Sequence, residues 1–422
     1  MEILGFLVLV GVLLLGEVDH CSFTDNLTSL LSSFSSSVSL LRVEGRMSGS
    51  DMSGYTDEDV NTAKQLPKVE LHLHLDGSLS PEFIGRRALA RGIQLPVPPE
   101  QLRQFLMMKK LEKLNTDGNK AEKGGNWPVF DFCNQFLQTK EELSLGTLDL
   151  LDRLAQENVV YAEIRFCPFL HTKEGLTEAE VVEAVLEGAR GQRKVKTGLI
   201  LVALRSKNSD HGISTAQLAF KYLQKSSEDM FGVVGMDVAG DEGTYPLCDP
   251  SHAMYAGVQE AKRLGVPLTV HAGEWPEKYG SIENLRWAIN QGVRRIGHGI
   301  AVRSDAESLR LLEKNNMTVE VCLTSNVGNG FKVKNFAEHP VKLLQENYVK
   351  YSLSSDNLLL SGDLKLAPSP TLELLRLAVD VGLGWEEARN SLISGLESAF
   401  SPCIGRDFIN DIQDRIDKII HQ

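Results

Sequence analysis

The sequence predicts an α/β fold, a closed (β/α)8 barrel of the TIM type with a helical insertion after the first strand. From about Leu66 onward, short runs rich in β-branched residues alternate with amphipathic stretches, which is the pattern of parallel βα units. Eight runs are typical of strands, and with their helices they occupy about 350 residues, more than the roughly 250 usual for this barrel. A doubly wound open sheet is the alternative, but no G-x-G-x-x-G motif follows a strand.

The predicted elements follow one another in the order that a barrel requires. The eight strands are expected at residues 69–76, 159–167, 198–205, 233–240, 267–274, 294–300, 318–325 and 349–356. Crossover helices are predicted at 177–191, 252–264, 281–290 and 305–315, and closing helices at 385–422. The extra length lies between the first two strands, at 77–158, where Pro-rich and Gly-Gly segments alternate with helical ones. We expect this insertion to cover the mouth of the barrel.

The first 60 residues differ from the rest, and we predict an extension at 1–60 in front of one barrel domain at 61–422. The segment from Ile3 to Leu15 is an apolar and glycine run of 13 residues, about the length of a signal-peptide core. A Ser-rich stretch follows it. Either the segment is a weak secretory signal, with Asn26 and Asn316 as glycosylation acceptors, or it is an extension before a start at Met47. The prediction is a cytoplasmic protein, with secretion as the alternative.

Composition and charge restrict the possible partners. The chain has 42% hydrophobic and 24% charged residues, which is typical of a globular protein. Its formal net charge is −12 and no dense Lys/Arg patch occurs, so nucleic acid and membrane are not expected as partners. The six cysteines are scattered and form no C-x-x-C pair, which argues against a disulfide framework and against a cysteine zinc site. We expect a monomer that acts on a small molecule.

Polar residues interrupt the apolar runs at the ends of four predicted strands. In chain order they are His72, His74, Asp76, His271, Glu274, His298 and Asp356. Catalytic groups of this barrel lie at the carboxyl ends of its strands, so these side chains should meet at the mouth. A single histidine in such a place is more often a structural residue, which is our interpretation of His171, His211, His252 and His339. A coincidence across four strands favours a functional site.

Three imidazoles and one carboxylate are ligands that zinc prefers. We therefore predict one Zn²⁺, held by His72, His74, His271 and Asp356. A bound zinc lowers the pKa of its water to about 7, which gives hydroxide near neutral pH. Two-metal hydrolases on this fold usually need a bridging lysine in a middle strand. The fourth strand ends in Met-Asp-Val-Ala-Gly-Asp-Glu without a lysine, which favours one metal.

Glu274 and His298 are the predicted catalytic groups. Glu274 follows Gly273, after which the chain can turn into the mouth, and partial burial there should raise the pKa of its carboxyl. It could then donate a proton. His298 has glycine on both sides and could orient the metal-bound hydroxide. The alternatives are a surface carboxylate and a packed histidine.

Together these motifs resemble those of the adenosine deaminases, a family of the metal-dependent amidohydrolase superfamily. They lie at 67–78 (PKVELHLHLDGS), 237–242 (DVAGDE), 270–274 (VHAGE), 295–299 (RIGHG) and 352–357 (SLSSDN). The resemblance implies that Glu274 protonates the purine N1 while hydroxide, oriented by His298 and Asp356, attacks C6 and ammonia leaves. It further implies that the substrate contacts include His74, Asp76 at the ribose, the Gly240 N–H at purine N3, and Asn357.

The implied activity is zinc-dependent hydrolytic deamination of adenosine and 2′-deoxyadenosine to inosine and 2′-deoxyinosine, within purine metabolism. The segment 355–358 (SDNL) departs from the common Thr-Asp-Asp-Pro, in which the second Asp bonds purine N7, so recognition of N7 by the uncharged Asn357 can differ. The segment 322–326 (CLTSN) resembles microbial adenosine deaminases and also deaminase-like proteins that act on N6-methyl-AMP. The alternative substrate is therefore N6-methyl-AMP or another 6-aminopurine nucleotide, with Lys332 and Lys334 as the possible phosphate anchor. A silent binding protein is a third reading, which the intact ligand set opposes.

Overall fold

The computed structural model describes residues 52–116, 127–205, 209–224, 230–243, 245–250, 253–275, 280–328 and 332–421. The apolar run at 3–15, Asn26 and Met47 lie outside these ranges, so the extension stays a prediction. Among the helices of the described ranges, none combines the length and the apolar character needed to cross a bilayer.

Eight parallel strands form the central sheet of the described chain. They are β1 (Lys68–His74), β2 (Val159–Phe166), β3 (Lys196–Leu204), β4 (Phe231–Ala239), β5 (Thr269–Ala272), β6 (Arg295–His298), β7 (Thr318–Val321) and β8 (Lys350–Leu353). Neighbours in sequence pair with one another from β1 to β4 and from β5 to β8. Single bridges join Met236 to Leu268 and Leu73 to Asp356, which connects both ends of the two halves. The ring is closed, and the predicted (β/α)8 barrel is confirmed.

Helices surround this ring in the described chain. They are α1 (Asp57–Gln65) before the barrel; α2 (Pro81–Arg91), α3 (Leu102–Thr116), α4 (Trp127–Asn134) and α5 (Lys140–Gln156) between β1 and β2; α6 (Glu178–Gly191), α7 (Ser209–Lys221), α8 (Ala253–Leu264), α9 (Ser281–Asn290), α10 (Ala306–Lys314), α11 (Leu323–Val327) and α12 (Val341–Glu346) in later crossovers; and α13 (Pro370–Leu375), α14 (Gly384–Ser398) and α15 (Arg406–Ile420) after β8. The four predicted crossover helices correspond to α6, α8, α9 and α10, with ends that differ by at most one residue.

The first turns of the helices show why these segments are helical. Thr139 and Thr177 begin α5 and α6 with capping boxes, in which the threonine hydroxyl and a glutamate three residues later satisfy each other's backbone N–H groups. Replacing such a cap costs about 1 kcal/mol. The helices then pack apolar faces onto the strands. On β1, Leu71 and Leu73 are fully buried in this layer, and each burial contributes about 1.5–3 kcal/mol.

Several strands end earlier than the sequence predicts, and one consequence concerns the site. The backbone turns to a helical conformation at Leu75, and residues Asp76–Ser78 form a 3₁₀ turn. The predicted strand at 69–76 thus ends two residues early, and Asp76 does not lie on the strand that carries His72 and His74. Similarly, β5 ends at Ala272, so that Glu274 stands beyond the strand. Both carboxylates thus come from connections that follow strand ends.

Candidate active site at the carboxyl ends of the strands

The strand ends bring the predicted site residues to one cavity. Its lining includes His74, Asp76, Gly240, His271, Glu274, His298, Asp356 and Asn357. His72 is fully buried, with its ring centroid 4.5 Å from that of His271 and 4.8 Å from that of His298. Residues that were predicted from five separate segments of the chain therefore meet in one place.

The predicted metal ligands direct their donor atoms toward one another. Asp356 Oδ1 lies 3.6 Å from His72 Nε2 and 3.5 Å from His74 Nε2, and His74 Nε2 lies 3.3 Å from His271 Nε2. His72 Nε2 is buried and has no hydrogen-bond partner among the described residues, which is the state expected of a ligand atom. This donor set fits a divalent metal ion. A second group, formed by His72, His271 and His298, has a similar spacing, so geometry alone also permits His298 as a ligand.

Buried carboxylates orient two of these imidazoles. Glu320 lies 2.7 Å from His72 Nδ1, and Asp237 lies 3.0 Å from His271 Nδ1. Burial raises the pKa of each carboxyl, but its neighbours hold both pKa values below the ordinary range. These neighbours are the Arg165 guanidinium above all for Glu320, and the His271 ring and Arg165 for Asp237. The carboxylates therefore accept the Nδ1–H protons, which leaves each Nε2 lone pair available for a metal.

Arg165 joins the two carboxylates. Its guanidinium lies 2.9 Å from Asp237 and 2.8 Å from Glu320, and all three side chains are fully buried. A planar fork with several donors can bind two acceptors at once, which a single ammonium does less well. One arginine on β2 thus connects the supports of His72 on β1 and His271 on β5.

Asp356 lies where β8 meets β1 and closes the ring. Its backbone N–H donates to the His72 carbonyl at 2.9 Å, and its carbonyl accepts from the His74 N–H at 2.8 Å. The hydroxyls of Ser325 and Ser361 donate to Oδ2 at 2.6 and 3.0 Å, which leaves Oδ1 toward the histidines. Its φ of 61° is left-handed, a conformation that costs a non-glycine residue about 1–3 kcal/mol and is concentrated at functional sites.

His298 also has a left-handed backbone, with φ of 66°. The Asn326 amide lies 3.0 Å from its Nδ1, and His298 Nε2 lies 3.5 Å from Glu274 Oε1. Burial lowers the pKa of His298 to about 3, so the ring is neutral. With the amide as donor to Nδ1, the ring carries its proton on Nε2, which points toward Glu274.

The predicted rise in the pKa of Glu274 is wrong for this structure. Burial does raise the pKa, but the adjacent His298 imidazole and the ammonium of Lys332 lower it more, and the pKa falls to about 2. Lys332 forms a close ion pair with Glu274 and lies 5.8 Å from the centre of the Trp275 ring. Sequence reasoning considered Lys332 only as a phosphate anchor, because no local pattern links it to Glu274.

The predicted substrate residues line the same cavity. Asp76 is 5% exposed, and burial raises its pKa to about 6. Gly240 has φ of 112°, which a side chain would strain. The Asn357 Nδ2 donates to Ser361 at 3.2 Å, while its Oδ1 is buried without a hydrogen bond in the described chain. A Cβ at Gly77 would lie 1.6 Å from this oxygen, so glycine is required there.

Two residues of the helical insertion were not predicted as part of the site. Lys110 on α3 and Phe130 on α4 both line the cavity, and Lys110 Nζ donates to the Leu360 carbonyl at 3.1 Å. Burial lowers the pKa of Lys110 to about 8. Lysines on amphipathic helices usually face solvent, so the sequence of α3 did not indicate that Lys110 would face the cavity.

Comparison with known proteins identifies the family. The profile of the adenosine deaminases matches residues 67–419, a range that contains every predicted site residue. The chain belongs to the adenosine deaminase family. It is therefore a hydrolytic deaminase of a metal-dependent family, as the motifs predicted. An adenosine deaminase of Enterococcus faecalis is 33% identical over 341 residues, which cover 80% of this chain and 93% of the relative.

Solved structures share the fold of this deaminase. The N6-mAMP deaminase of Arabidopsis superposes with a TM-score of 0.65 at 21% identity, over 85% of this chain and 99% of the other. A cog1816 amidohydrolase of Burkholderia ambifaria, solved with bound Zn, has a TM-score of 0.69 at 18% identity, over 90% and 99% of the two chains. At these identities the likeness concerns the barrel.

Proposed function

We propose that this deaminase hydrolyses adenosine and 2′-deoxyadenosine to inosine and 2′-deoxyinosine. Water adds at C6 of the purine, the C6–N bond breaks, and the amino group leaves as ammonia. One observation carries the proposal: the metal-ligand atoms of His72, His74, His271 and Asp356 face one another beside Glu274, in a cavity of mixed polar and apolar lining. Relatives named adenosine deaminase support the same activity.

The proposed cofactor is one Zn²⁺ per chain, held by these four residues. Three imidazoles and one carboxylate suit its preference for nitrogen and oxygen donors, and the buried His72 Nε2 needs such a partner. A metal in this position supplies a water activated for attack near neutral pH. The bound Zn in the related amidohydrolase supports the choice of zinc.

Glu274 is the proposed proton donor to purine N1. For this role it must be protonated in the complex, so Lys332 must leave the carboxyl when the base arrives. Once the ammonium is replaced by a neutral ring nitrogen, burial acts with less opposition and raises the pKa of Glu274. Protonation of N1 draws electrons from C6 and makes that carbon electrophilic. His298, 3.5 Å from Glu274, is placed to orient the attacking water.

The remaining contacts determine how the nucleoside lies. Asp76 is proposed to accept a hydrogen bond from the ribose, and the Gly240 N–H to donate to purine N3. Asn357 would donate its Nδ2–H to purine N7, an acceptor. An amide does this without a prior protonation, whereas a carboxylate needs one. The present partner of Nδ2, the Ser361 hydroxyl at 3.2 Å, can release it because that hydroxyl also donates to Asp356.

A second candidate substrate is N6-methyl-AMP or another 6-aminopurine nucleotide. The observation that favours it is the pair of ammonium groups, Lys110 and Lys332, in the cavity lining. A structure of the same fold is an N6-mAMP deaminase. Against it stands the ion pair of Lys332 with Glu274, because of these two lysines only Lys110 then lacks a carboxylate partner among the described residues.

A substrate panel tests the proposal. The purified protein, with its metal content measured, is incubated with equal concentrations of adenosine, 2′-deoxyadenosine, AMP and N6-methyl-AMP, and the change in ultraviolet absorbance and the release of amine are followed. We expect the highest kcat/KM for adenosine or 2′-deoxyadenosine. A preference for either nucleotide would overturn the nucleoside assignment, and full activity of Glu274→Gln would overturn the role of Glu274. The cytoplasmic location, the monomeric state and the boundary at residue 61 stay predictions, which amino-terminal mass spectrometry and light scattering can test.

A further inference from the structure

The turn after β5 is held by one buried carboxylate. Three consecutive backbone N–H groups donate to Glu242: that of Gly273 to Oε1 at 2.7 Å, and those of Glu274 and Trp275 to Oε2 at 3.1 and 3.4 Å. Glu242 is 2% exposed and comes from the connection after β4. A carboxylate with both oxygens used in this way fixes the direction of the backbone over three residues.

Arg205 also holds this segment. Its guanidinium donates to the carbonyl of His271 at 2.5 Å and to that of Tyr245 at 3.0 Å. Arg205 is 4% exposed. The backbone from His271 to Trp275 is therefore bound both by a donor that follows β3 and by an acceptor that follows β4.

The geometry of the turn explains why such an anchor is needed. Gly273 has φ of 71°, which ends the extended conformation and aims the next N–H groups to one side. The ladder between β5 and β6 ends at Ala272, so strand pairing cannot satisfy these groups. Unpaired and buried, each would cost about 1–3 kcal/mol. Glu242 satisfies all three at once.

We propose that Glu242 is a positioning residue for catalysis: it fixes the backbone of Glu274 and thereby the direction from which the carboxyl of Glu274 approaches the purine. The inference rests on the proposed function of Glu274. Glu242 itself does not line the cavity, so its effect passes through the turn. Glycine at 273 does not restrict the backbone dihedral angles, so the hydrogen bonds to Glu242 must fix the conformation of this turn.

The test is Glu242→Gln, which keeps the size of the side chain but turns one oxygen into a donor that faces backbone N–H groups. We expect kcat for adenosine to fall about 10- to 100-fold, since a displacement of about 1 Å at a catalytic group can cost that much. KM should change less than about threefold and metal per chain should stay the same. Glu242→Asp keeps both acceptors on a shorter side chain and should recover part of the loss.

Glu142→Gln is the matched control. Glu142 is fully buried, accepts the backbone N–H groups of Gln138 and Thr139 at 3.0 and 3.2 Å, and pairs with Arg91, but it lies at the start of α5. The Glu142→Gln substitution should lower the melting temperature and leave kcat per folded, metal-loaded molecule unchanged. The inference is overturned if Glu242→Gln behaves like this control. If instead the unmodified protein fails to deaminate adenosine, the proposed function is at fault and not the role of Glu242.

Discussion

The Lys332 ammonium forms an ion pair with the Glu274 carboxylate although 58 positions separate them in the sequence. Lys332 comes from the connection between α11 and α12, and Glu274 from the turn after β5. The pair keeps Glu274 ionised in the free protein, with a pKa of about 2. Since the proposed reaction needs a protonated Glu274, the arrival of substrate must exchange a cation for a neutral ring nitrogen.

Lys332→Met should move the pH dependence of kcat/KM. This parameter reports the free protein, and a requirement for protonated Glu274 makes it decline as pH rises above the pKa of that carboxyl. Loss of the ammonium removes a charge that lowers the pKa, so the pKa rises and the descending limb shifts to higher pH. The control is Lys334→Met, an equal charge change in the same connection at a side chain that is 79% exposed and pairs with Glu338. Superimposable profiles for all three proteins would contradict the prediction.

The barrel and most of its site follow from two features of the sequence. Period-two spacing puts His72 and His74 on one face of a strand, and the rule for carboxyl ends adds His271 and Asp356 from distant strands. Charged residues inside apolar runs also indicate buried ion pairs. Arg165 and Glu320 interrupt buried strands, and a buried charge needs a partner, so their pairing could have been expected.

Other features could not be predicted because they depend on where loops go. Asp76 leaves the strand because the backbone turns at Leu75, although the alternation of apolar and polar residues continues to Asp76. The approach of Lys332 to Glu274 is set by a connection without periodicity, and that of Lys110 by the packing of α3 against the mouth. Local patterns describe regular elements, whereas these contacts arise between irregular ones.

Arg165→Lys should weaken metal binding more than it weakens the fold. One ammonium cannot hold Asp237 and Glu320 in the geometry of the guanidinium, so the imidazoles they orient lose a fixed direction. Loss of such supporting contacts typically costs about 10- to 100-fold in metal affinity. Competition with a chelator measures this directly. Arg376→Lys, at a buried arginine paired with Glu373, should leave metal affinity unchanged; equal losses in both variants would mean a general effect of the substitution.

Asp76→Ala should raise KM for adenosine by about tenfold and leave metal content unchanged. The side chain lies beyond β1, outside the group formed by His72, His74 and Asp356, so its proposed partner is the ribose. A hydrogen bond to a charged group contributes about 1.5–3 kcal/mol, consistent with a change of this size or larger. Steady-state kinetics with metal analysis checks both parts. Metal loss in this variant would place Asp76 on the metal instead.

Glu70→Gln should flatten the pH dependence of stability between about pH 4.5 and 8. Burial raises the pKa of Glu70 from 4.5 to about 8, although the Ser355 hydroxyl and backbone N–H donate to it at 2.6 and 3.0 Å. In that interval the folded protein holds a proton that the unfolded chain releases, so the free energy of unfolding falls as pH rises. The stabilisation from protonated Glu70 is fully present below the pKa that Glu70 has in the unfolded chain. It is lost as pH rises through the pKa that Glu70 has in the folded protein.

Glutamine cannot ionise, so the free energy of unfolding of the variant should fall less steeply with pH. Relative to the unmodified protein, the variant should therefore become more stable as pH rises toward 8. Denaturant titrations at half-unit steps of pH, on metal-loaded samples of both proteins, measure the difference between the two slopes. Comparing the two cancels every titration that the two proteins share. Parallel curves would show that Glu70 is already ionised in the folded barrel at neutral pH, with the Ser355 donors outweighing the cost of burial.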